Sequence, residues 1–154
     1  MDRPTPPDAI GRLVAARPLR DLALTLAETG AATASGLWGS SVAAVVAALR
    51  DELRRPVVIV CGHLDEADDL SDDIELFTGR RPDGLPALEL GGGLGRMSEE
   101  QVVNRLQLLA QYAGGVPKDT MLVAPVQALM QSVPSKKQLE QLIRTIKPGD
   151  ELEP

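Results

Sequence analysis

The segment from Gly36 to Ala43 has the spacing of a phosphate-binding loop but lacks the residues that supply its chemistry. A working loop reads G-x-x-x-x-G-K-[ST]: backbone N–H groups surround the phosphates, the lysine contacts the β- and γ-phosphates, and the hydroxyl binds Mg²⁺. The first glycine is present, but serine, valine and alanine occupy the positions of the second glycine, the lysine and the hydroxyl residue. The sequence therefore predicts a degenerate loop that binds no nucleotide, formed by Gly36, Trp38, Gly39, Ser40, Ser41, Val42 and Ala43.

Trp38 is an unusual residue for such a loop because its indole ring is bulky. We consider two interpretations of this residue. In one, the ring fills the space that a nucleotide would occupy. In the other, Trp38 is simply exposed or lies at an interface with another protein.

A cluster of acidic residues follows the loop by about twenty residues, where seven of the eleven residues 65–75 are acidic. Calcium loops need oxygen ligands at alternating positions and a central glycine, and neither is present here. A solvated helix face is the simplest interpretation, and a surface for a basic protein partner is the alternative. The residues that could form this interaction face are Asp65, Asp68, Asp69, Asp72 and Asp73.

The string Asp65-Glu66-Ala67-Asp68 spells the helicase signature DEAD, but its position argues against that function. The acidic pair of a helicase directly follows a strand, whereas three residues separate this string from the preceding apolar run. In a helical frame Ala67 faces the core together with Leu64 and Leu70. We therefore assign no catalytic role to these residues, and the sequence predicts no catalytic residue, metal site or cofactor elsewhere.

The remaining candidates for chemistry have structural explanations. His63 is the only histidine, which excludes a histidine-based dyad, and it is interpreted as a loop or capping residue. Cys61 is the only cysteine and ends an apolar run, which predicts a buried thiol in a reducing compartment. The glycine-rich segment 91–96 resembles a dinucleotide loop, but Arg96 breaks the G-x-G-x-x-G pattern, and a connector is the better interpretation.

The composition limits the classes of partner. The chain has 154 residues, 44% of them apolar and only 2% aromatic, so its core must consist mainly of aliphatic side chains. The net charge of −6 argues against direct nucleic-acid binding. No apolar run approaches the length of about 18 residues that a membrane span requires, and no signal-peptide core is evident. These features predict a cytoplasmic protein that does not bind membranes.

The elements around the loop alternate between helix and strand. Helices are predicted from Asp8 to about Ala16 and from Pro18 to Gly30, followed by a short strand from Ala31 to Gly36. The helix after the loop, from Ser40 to about Leu53, has Val42, Val45, Val46 and Leu49 on the face expected to pack on a sheet. The apolar run Val57–Cys61 predicts a strand that is covered on both faces.

The second half of the chain continues this alternation. Helices are predicted for Leu64–Phe77, for Ser98 to about Ala113 with an apolar face of Val102, Val103, Leu106, Leu109 and Ala110, and from Val126 toward Pro134. Strands are predicted near Ala87–Leu90 and at Met121–Ala124, and the tail has a helical turn or two and then a candidate strand, Ile143–Ile146. Such alternation predicts an α/β fold with a parallel, doubly wound sheet.

Taken together, several segments resemble one family. They are Gly36–Ser41, which fits "GLxGS"; Pro56–Val60; Glu66–Phe77, within an "A-x-x-L-x-x-D-[LI]-x-x-F" helix; Val102–Leu109, a "V-x-x-R-L-x-x-L" helix; and Ala124–Pro134, ending in "A-L-x-Q-x-x-P". Their order and spacing resemble the N-terminal, UvrB-homologous region of the bacterial transcription-repair coupling factor over residues 32–150, about three-quarters of the chain.

The resemblance implies a RecA-like, P-loop NTPase (helicase) subdomain whose parallel sheet is flanked by helices and is incomplete in this chain. It implies an arm with helices at 1–30, a UvrB-like α/β subdomain at 31–134 and, at 135–154, the start of a UvrA-binding-type domain. In the family a separate C-terminal motor hydrolyses ATP and translocates on DNA, while the N-terminal module recruits UvrA after stalled RNA polymerase is displaced. This part of the family is not itself an enzyme.

The chain departs from the family in three places. The aromatic-containing "P-x-x-E-x-x-P-Y" segment is reduced to Pro86–Glu89 and a glycine loop, and the adenine-reading glutamine segment of UvrB is not evident. The chain also stops at Pro154, near where the family's UvrA-docking insertion begins, so a fragment is expected and no UvrA contact residue can be transferred. UvrA and RNA polymerase are therefore expected partners of the full-length family protein.

Three functions follow from these observations. The first is an ATPase-inactive scaffold module in transcription-coupled nucleotide excision repair. The second is a fragment of a UvrB-type helicase whose loop binds nucleotide through backbone groups alone. The third is a stand-alone acidic adaptor that binds a basic partner through residues 65–75.

Overall fold

The computed structural model describes residues 6–88 and 99–142, in which helices flank a small parallel sheet. The strands are β1 (Val57–Cys61), β2 (Asp83–Gly84) and β3 (Met121–Pro125). The helices are α1 (Pro6–Ala15), α2 (Arg17–Thr29), α3 (Ser41–Leu53), α4 (Leu64–Thr78), α5 (Glu99–Ala113), α6 (Val126–Leu129) and α7 (Lys136–Leu142). The predicted α/β class with a parallel sheet is confirmed.

β3 is the central strand of this sheet, with β1 on one side and β2 on the other. β1 pairs with β3 from Val57 opposite Met121 to Cys61 opposite Pro125, and Asp83 of β2 pairs with Leu122. All five residues of β3 are buried, because neighbouring strands and helices surround it. The bounds of β1 are those that its apolar run predicts.

Helices α3 and α4 cover one face of the sheet. Alternate residues of a strand point to opposite faces, and the odd-numbered residues of β1 and β3 point toward these helices. The core on this face contains Ala43, Ile59, Cys61, Ile74, Met121 and Val123, with Val46, Val57, Ala67, Leu70 and Phe77 packed against it. The predicted inner face of α4 is thereby confirmed at Ala67, Leu70, Ile74 and Phe77, whereas Leu64, at the start of the helix, is exposed.

Helix α5 covers the opposite face, but only over β3 and β2. The core there contains Leu85, Ala87, Leu122, Ala124 and Ala128, with Leu108 and Tyr112 of α5 packed against it. Val58 and Val60 of β1 point to this same face, yet their side chains are 58% and 56% exposed. The prediction that β1 is covered on both faces is therefore wrong, because no described element packs over β1 on this side.

The predicted apolar faces of two helices also need correction. In α5 the residues that meet the core are Leu108 and Tyr112, together with the buried Arg105, whereas Val103 is 49% exposed. In α3 the fully buried residues are Ala43, Ala47 and Ala48, and the predicted valines are only partly buried. Small side chains let α1 approach α3 closely, so the alanines mark the contact and Ile10 and Leu19 pack against it.

Two predicted strands differ from the structure. Residues 31–36 are exposed coil; their small and polar side chains have no apolar surface to bury. The strand predicted near Ala87–Leu90 lies earlier, as β2 at Asp83–Gly84, and Ala87 and Leu88 are not part of a strand. Four other predicted features lie outside the described residues: the end of that strand at Glu89–Leu90, the Ser98 cap, the glycine-rich segment 91–96 and the candidate strand Ile143–Ile146.

Candidate functional site

The loop before α3 uses its own backbone amides in internal hydrogen bonds. The N–H groups of Ser41 and Val42 donate to the carbonyl oxygens of Trp38 and Gly39, both at 3.2 Å. The Trp38 N–H donates to Ser41 Oγ at 2.7 Å, and this hydroxyl donates to the Trp38 carbonyl at 2.8 Å. The amides of Trp38, Ser41 and Val42 are therefore engaged within the loop, whereas a phosphate loop leaves such amides free for the ligand.

Two glycines allow the loop to turn in this way. Gly36 and Gly39 have φ angles of 75° and 51°, in the left-handed region that favours glycine. Residues 31–36 ahead of the loop form no strand, so the loop reaches α3 from exposed coil. It is held by its own turns and by a contact with α4.

Carboxylates line the space beside this loop. Ser40 Oγ donates to Asp73 Oδ1 of α4 at 2.9 Å, which joins the loop to the acidic helix. A cavity of about 550 Å³ opens beside this contact, between the start of α3, the end of β1 and α4. Its charged lining consists of Glu66, Asp69, Asp72 and Asp73. A phosphate would meet negative charge here, which Coulomb repulsion opposes.

Trp38 does not occupy this cavity. Its side chain is 84% exposed, and it is not among the residues that line the space beside α3. The hypothesis that the indole ring fills a nucleotide site is therefore wrong. The alternative, an exposed tryptophan, agrees with the structure.

The acidic residues of α4 differ in what they contact. Asp72 and Glu75 form ion pairs with Arg81 at 2.6 and 3.1 Å, and these contacts raise the pKa of the Arg81 guanidinium. Asp73 is bound to Ser40, as described above. Asp65, Asp68 and Asp69 are exposed, and none of them has an ion pair or a side-chain hydrogen bond within residues 6–88 and 99–142. These three carboxylates are the part of the predicted face that is free to contact another molecule.

The residues between β1 and α4 serve the helix. Glu66 Oε2 accepts the backbone N–H groups of Gly62 at 2.8 Å and His63 at 3.3 Å, and His63 occupies the N-cap position with extended backbone. This contact gives Glu66 a structural role, in agreement with the interpretation of His63 as a capping residue. Cys61 is buried, and burial first, then the Glu66 charge, raise the pKa of its thiol, which keeps it protonated and unreactive.

Sequence reasoning missed the most constrained polar residue of the described chain. Arg105 is only 3% exposed, and its guanidinium donates to the carbonyl oxygens of Pro86 at 2.7 Å, Ala128 at 2.9 Å and Gln131 at 3.4 Å. Burial lowers the pKa of this guanidinium. The sequence signal was its position as the arginine of the V-x-x-R-L-x-x-L segment, between apolar residues of the same helix.

Two further contacts support the same region. The side-chain amide of Gln131 accepts from the Leu88 N–H and donates to the Leu88 carbonyl, both at 2.8 Å. The Tyr112 hydroxyl donates to Asp83 Oδ2 at 2.6 Å, which joins α5 to β2. These contacts hold the segment after β2 against α5 and the chain after α6. We interpret them as structural, since their polar groups satisfy one another.

The part of the chain that the structure describes has neither a cluster of metal-binding side chains nor a helix that could cross a membrane. Residues 6–88 and 99–142 contain no group of three or more histidine, cysteine, aspartate or glutamate side chains placed to hold a metal ion. None of the described helices has the length and apolar character needed to cross a membrane. Comparison of the chain with protein-family models, curated proteins and solved structures gives no match.

Proposed function

We propose that this chain is an ATPase-inactive, UvrB-like module of a transcription-repair coupling factor and acts as a scaffold in transcription-coupled nucleotide excision repair. The proposal includes a RecA-like, P-loop origin for the α/β fold and a cytoplasmic location. The observation that supports the absence of ATPase activity is the hydrogen bonding and the sequence of the loop before α3. Its amides at Ser41 and Val42 are bonded to loop carbonyls, and Val42 takes the lysine position.

The loop lacks the two side chains that contact phosphate and Mg²⁺ in a working phosphate loop, the lysine and the hydroxyl residue. A charge-assisted contact between lysine and phosphate is roughly twice as strong as a neutral hydrogen bond, and valine cannot make one. Mg²⁺ loses its hydroxyl ligand because Ala43 stands in that position. The carboxylates of the adjoining cavity add repulsion to these losses. A triphosphate therefore lacks the charge-assisted and metal-mediated contacts that would offset its desolvation.

A thermal-shift titration with ATP and Mg²⁺ tests this part of the proposal. A ligand present at about 100 times its Kd stabilises the folded state by about 2.7 kcal/mol. For a chain of this length that gain would raise the Tm by about 5 to 10 °C. We expect no rise beyond that of a magnesium salt control of equal ionic strength. A rise of several degrees would refute the proposal and favour a UvrB-type helicase fragment that binds nucleotide through its backbone.

Trp38 provides an independent readout of the same experiment. It is the only tryptophan and lies within the loop, so a nucleotide bound there would change its fluorescence. We expect the emission to stay constant during the titration. The Asp73→Asn variant is the informative companion, because it removes the carboxylate that holds Ser40. If the variant binds nucleotide and the parent does not, the acidic helix is the main barrier.

The scaffold part of the proposal needs a protein partner. The free carboxylates of Asp65, Asp68 and Asp69 fit a basic surface on such a partner, and the resemblance suggests purified UvrA and RNA polymerase as probes. We expect one of these proteins to be retained by the immobilised chain and lost from the Asp68→Lys, Asp69→Lys double variant. Glu28→Lys is the control, since Glu28 is an exposed acid on α2. Retention of neither protein would argue against the scaffold role.

A stand-alone acidic adaptor is the second candidate function. It is favoured by the same free carboxylates of α4 but does not require the excision-repair proteins as partners. The two proposals differ in the pull-down experiment. Retention of a different basic protein, with no retention of UvrA or RNA polymerase, would favour the adaptor.

A further inference from the structure

The outer edge of β1 has unused backbone hydrogen-bonding groups. The Val57 N–H donates to the Thr120 carbonyl at 3.0 Å, so Val57, Ile59 and Cys61 direct their backbone groups toward β3. In a parallel ladder the residues between them direct their N–H and C=O groups to the opposite side. For Val58 and Val60 that side has no strand partner within residues 6–88 and 99–142.

Nothing in β1 itself protects this edge. Edge strands usually carry a charge, a proline or a bulge that prevents pairing with another chain. The sequence of β1 is Val-Val-Ile-Val-Cys, and its register with β3 has no bulge. The side chains of Val58 and Val60 are more than half exposed on the face that α5 leaves open. An apolar strand with a free edge is therefore available for pairing.

The two ends of β1 carry opposite charges. Arg54 and Arg55 precede the strand, and both are exposed, without an ion pair or side-chain hydrogen bond in the described part of the chain. The carboxylates of Asp65, Glu66 and Asp69 follow it at the start of α4. An antiparallel partner with the same charges would place its basic end beside this acidic end. A parallel copy would place like charges together, which is unfavourable.

We propose that two copies of this chain associate through antiparallel pairing of their β1 strands. A register with Val58 opposite the second copy's Val60 lets both residues exchange N–H and C=O bonds in each half of a twofold interface. The four valines then form cross-strand pairs on the open face. The ladder ends at Pro56, which has no N–H group. The proposal is independent of nucleotide binding and of any excision-repair partner.

The acidic cavity gives this arrangement its specificity. The cavity lies at the carboxyl end of β1 and is lined by Val60, Glu66 and Asp69. In the antiparallel register the second copy's Arg55 lies opposite His63, next to this cavity and to Asp65. Two symmetry-related sets of opposite charges would therefore form across the interface. Arg55 and Asp65 have no side-chain partner in the described part of one copy, whereas Glu66 already accepts the N–H groups of Gly62 and His63.

A charge-swap experiment on the full chain tests this proposal by analytical ultracentrifugation. We expect the parent protein to show a concentration-dependent monomer–dimer equilibrium. Arg55→Glu alone and Asp65→Arg alone should each weaken dimerisation by about tenfold or more. An equal mixture of the two variants should recover dimers, because each heterodimer then pairs opposite charges at both contacts. Recovery on mixing is specific to a contact between Arg55 of one copy and Asp65 of the other.

Matched controls separate this contact from effects of net charge and folding. Arg20→Glu changes the charge by the same amount as Arg55→Glu, at an exposed position of α2, and should leave the equilibrium unchanged. Val58→Pro removes an outward N–H without removing a bond to β3, and should abolish dimers while circular dichroism confirms the fold. A parent protein that stays monomeric at all concentrations would overturn the proposal. Dimers that resist Arg55→Glu and Val58→Pro would overturn it as well.

Discussion

Arg105 offers the most direct test of how the core between α5 and the sheet is held together. Its guanidinium is buried and makes its two shorter hydrogen bonds, of 2.7 and 2.9 Å, to the carbonyl oxygens of Pro86 and Ala128. Replacement by methionine keeps most of the aliphatic volume but removes every donor. The Pro86 carbonyl would then lose its donor, and the Ala128 carbonyl would keep only the backbone N–H groups near the end of α6, which is costly in an apolar environment.

The size of the effect follows from these two bonds. Hydrogen bonds to a charged group contribute about 1.5 to 3 kcal/mol each, and the lower figure applies because the cation also loses hydration on burial. Arg105→Met should therefore destabilise the fold by about 3 kcal/mol, neglecting the 3.4 Å contact. For a domain of this length, the Tm should fall by about 6 to 12 °C. Lysine, a single point donor, should recover only part of the loss.

Thermal unfolding followed by far-ultraviolet circular dichroism measures this change. Fluorescence is unsuitable, since the single tryptophan, Trp38, is exposed in the folded protein. Arg20→Met is the matched control, because Arg20 is exposed on α2 and has no ion pair in the described chain, and its Tm should hardly change. If Arg105→Met lowers the Tm no more than this control does, the carbonyl contacts do not stabilise the fold and our reasoning is refuted.

Two other predictions concern the packing of α5 and α3. Burial first, and then the hydrogen bond to Asp83, raise the pKa of Tyr112, the only tyrosine. The folded state thus holds the phenolic proton more tightly than the unfolded state does. The stabilisation from the protonated Tyr112 hydroxyl is therefore complete below the unfolded-state pKa of about 10, and it is lost as the pH rises toward the folded-state pKa. Absorbance at alkaline pH should show late ionisation of Tyr112, with Asp83→Asn lowering its pKa only partly; an ordinary titration in the folded protein would contradict this. Ala47→Leu should cost about 1 to 3 kcal/mol of stability because Ala47 is fully buried. Ala27→Leu, at an exposed site of α2, should have little effect on thermal unfolding followed by circular dichroism. Equal Tm values for the two variants would disprove close packing at Ala47.

Local patterns predicted most of the elements, because propensity and capping act within a few residues. The run of β-branched residues at Val57–Cys61 gave the bounds of β1. Gly30 and Gly79 end α2 and α4 in the left-handed conformation that glycine favours. The parallel sheet followed from the alternation of strands and helices.

Features that depend on neighbours distant in the sequence could not be predicted in this way. The apolar run of β1 suggested burial on both faces, but exposure of Val58 and Val60 depends on where α5 packs. The face of α5 was assigned from its aliphatic residues, and the buried Arg105 was overlooked because its partners are backbone carbonyls far along the chain.

The loop before α3 has both kinds of feature, some visible in the sequence and others only in the structure. The sequence shows valine at the position where a phosphate loop has lysine. The bond between Ser40 and Asp73, and the use of the loop amides by loop carbonyls, became visible only with the structure.

The bond between Ser40 and Asp73 would also hinder the design of a phosphate site in this loop. A lysine introduced at position 42 would lie next to the carboxylates that line the neighbouring cavity, and these would compete with a phosphate for its charge. A designed site would therefore need the lysine, a hydroxyl at position 43 and the removal of at least one carboxylate, such as Asp73, in the same molecule.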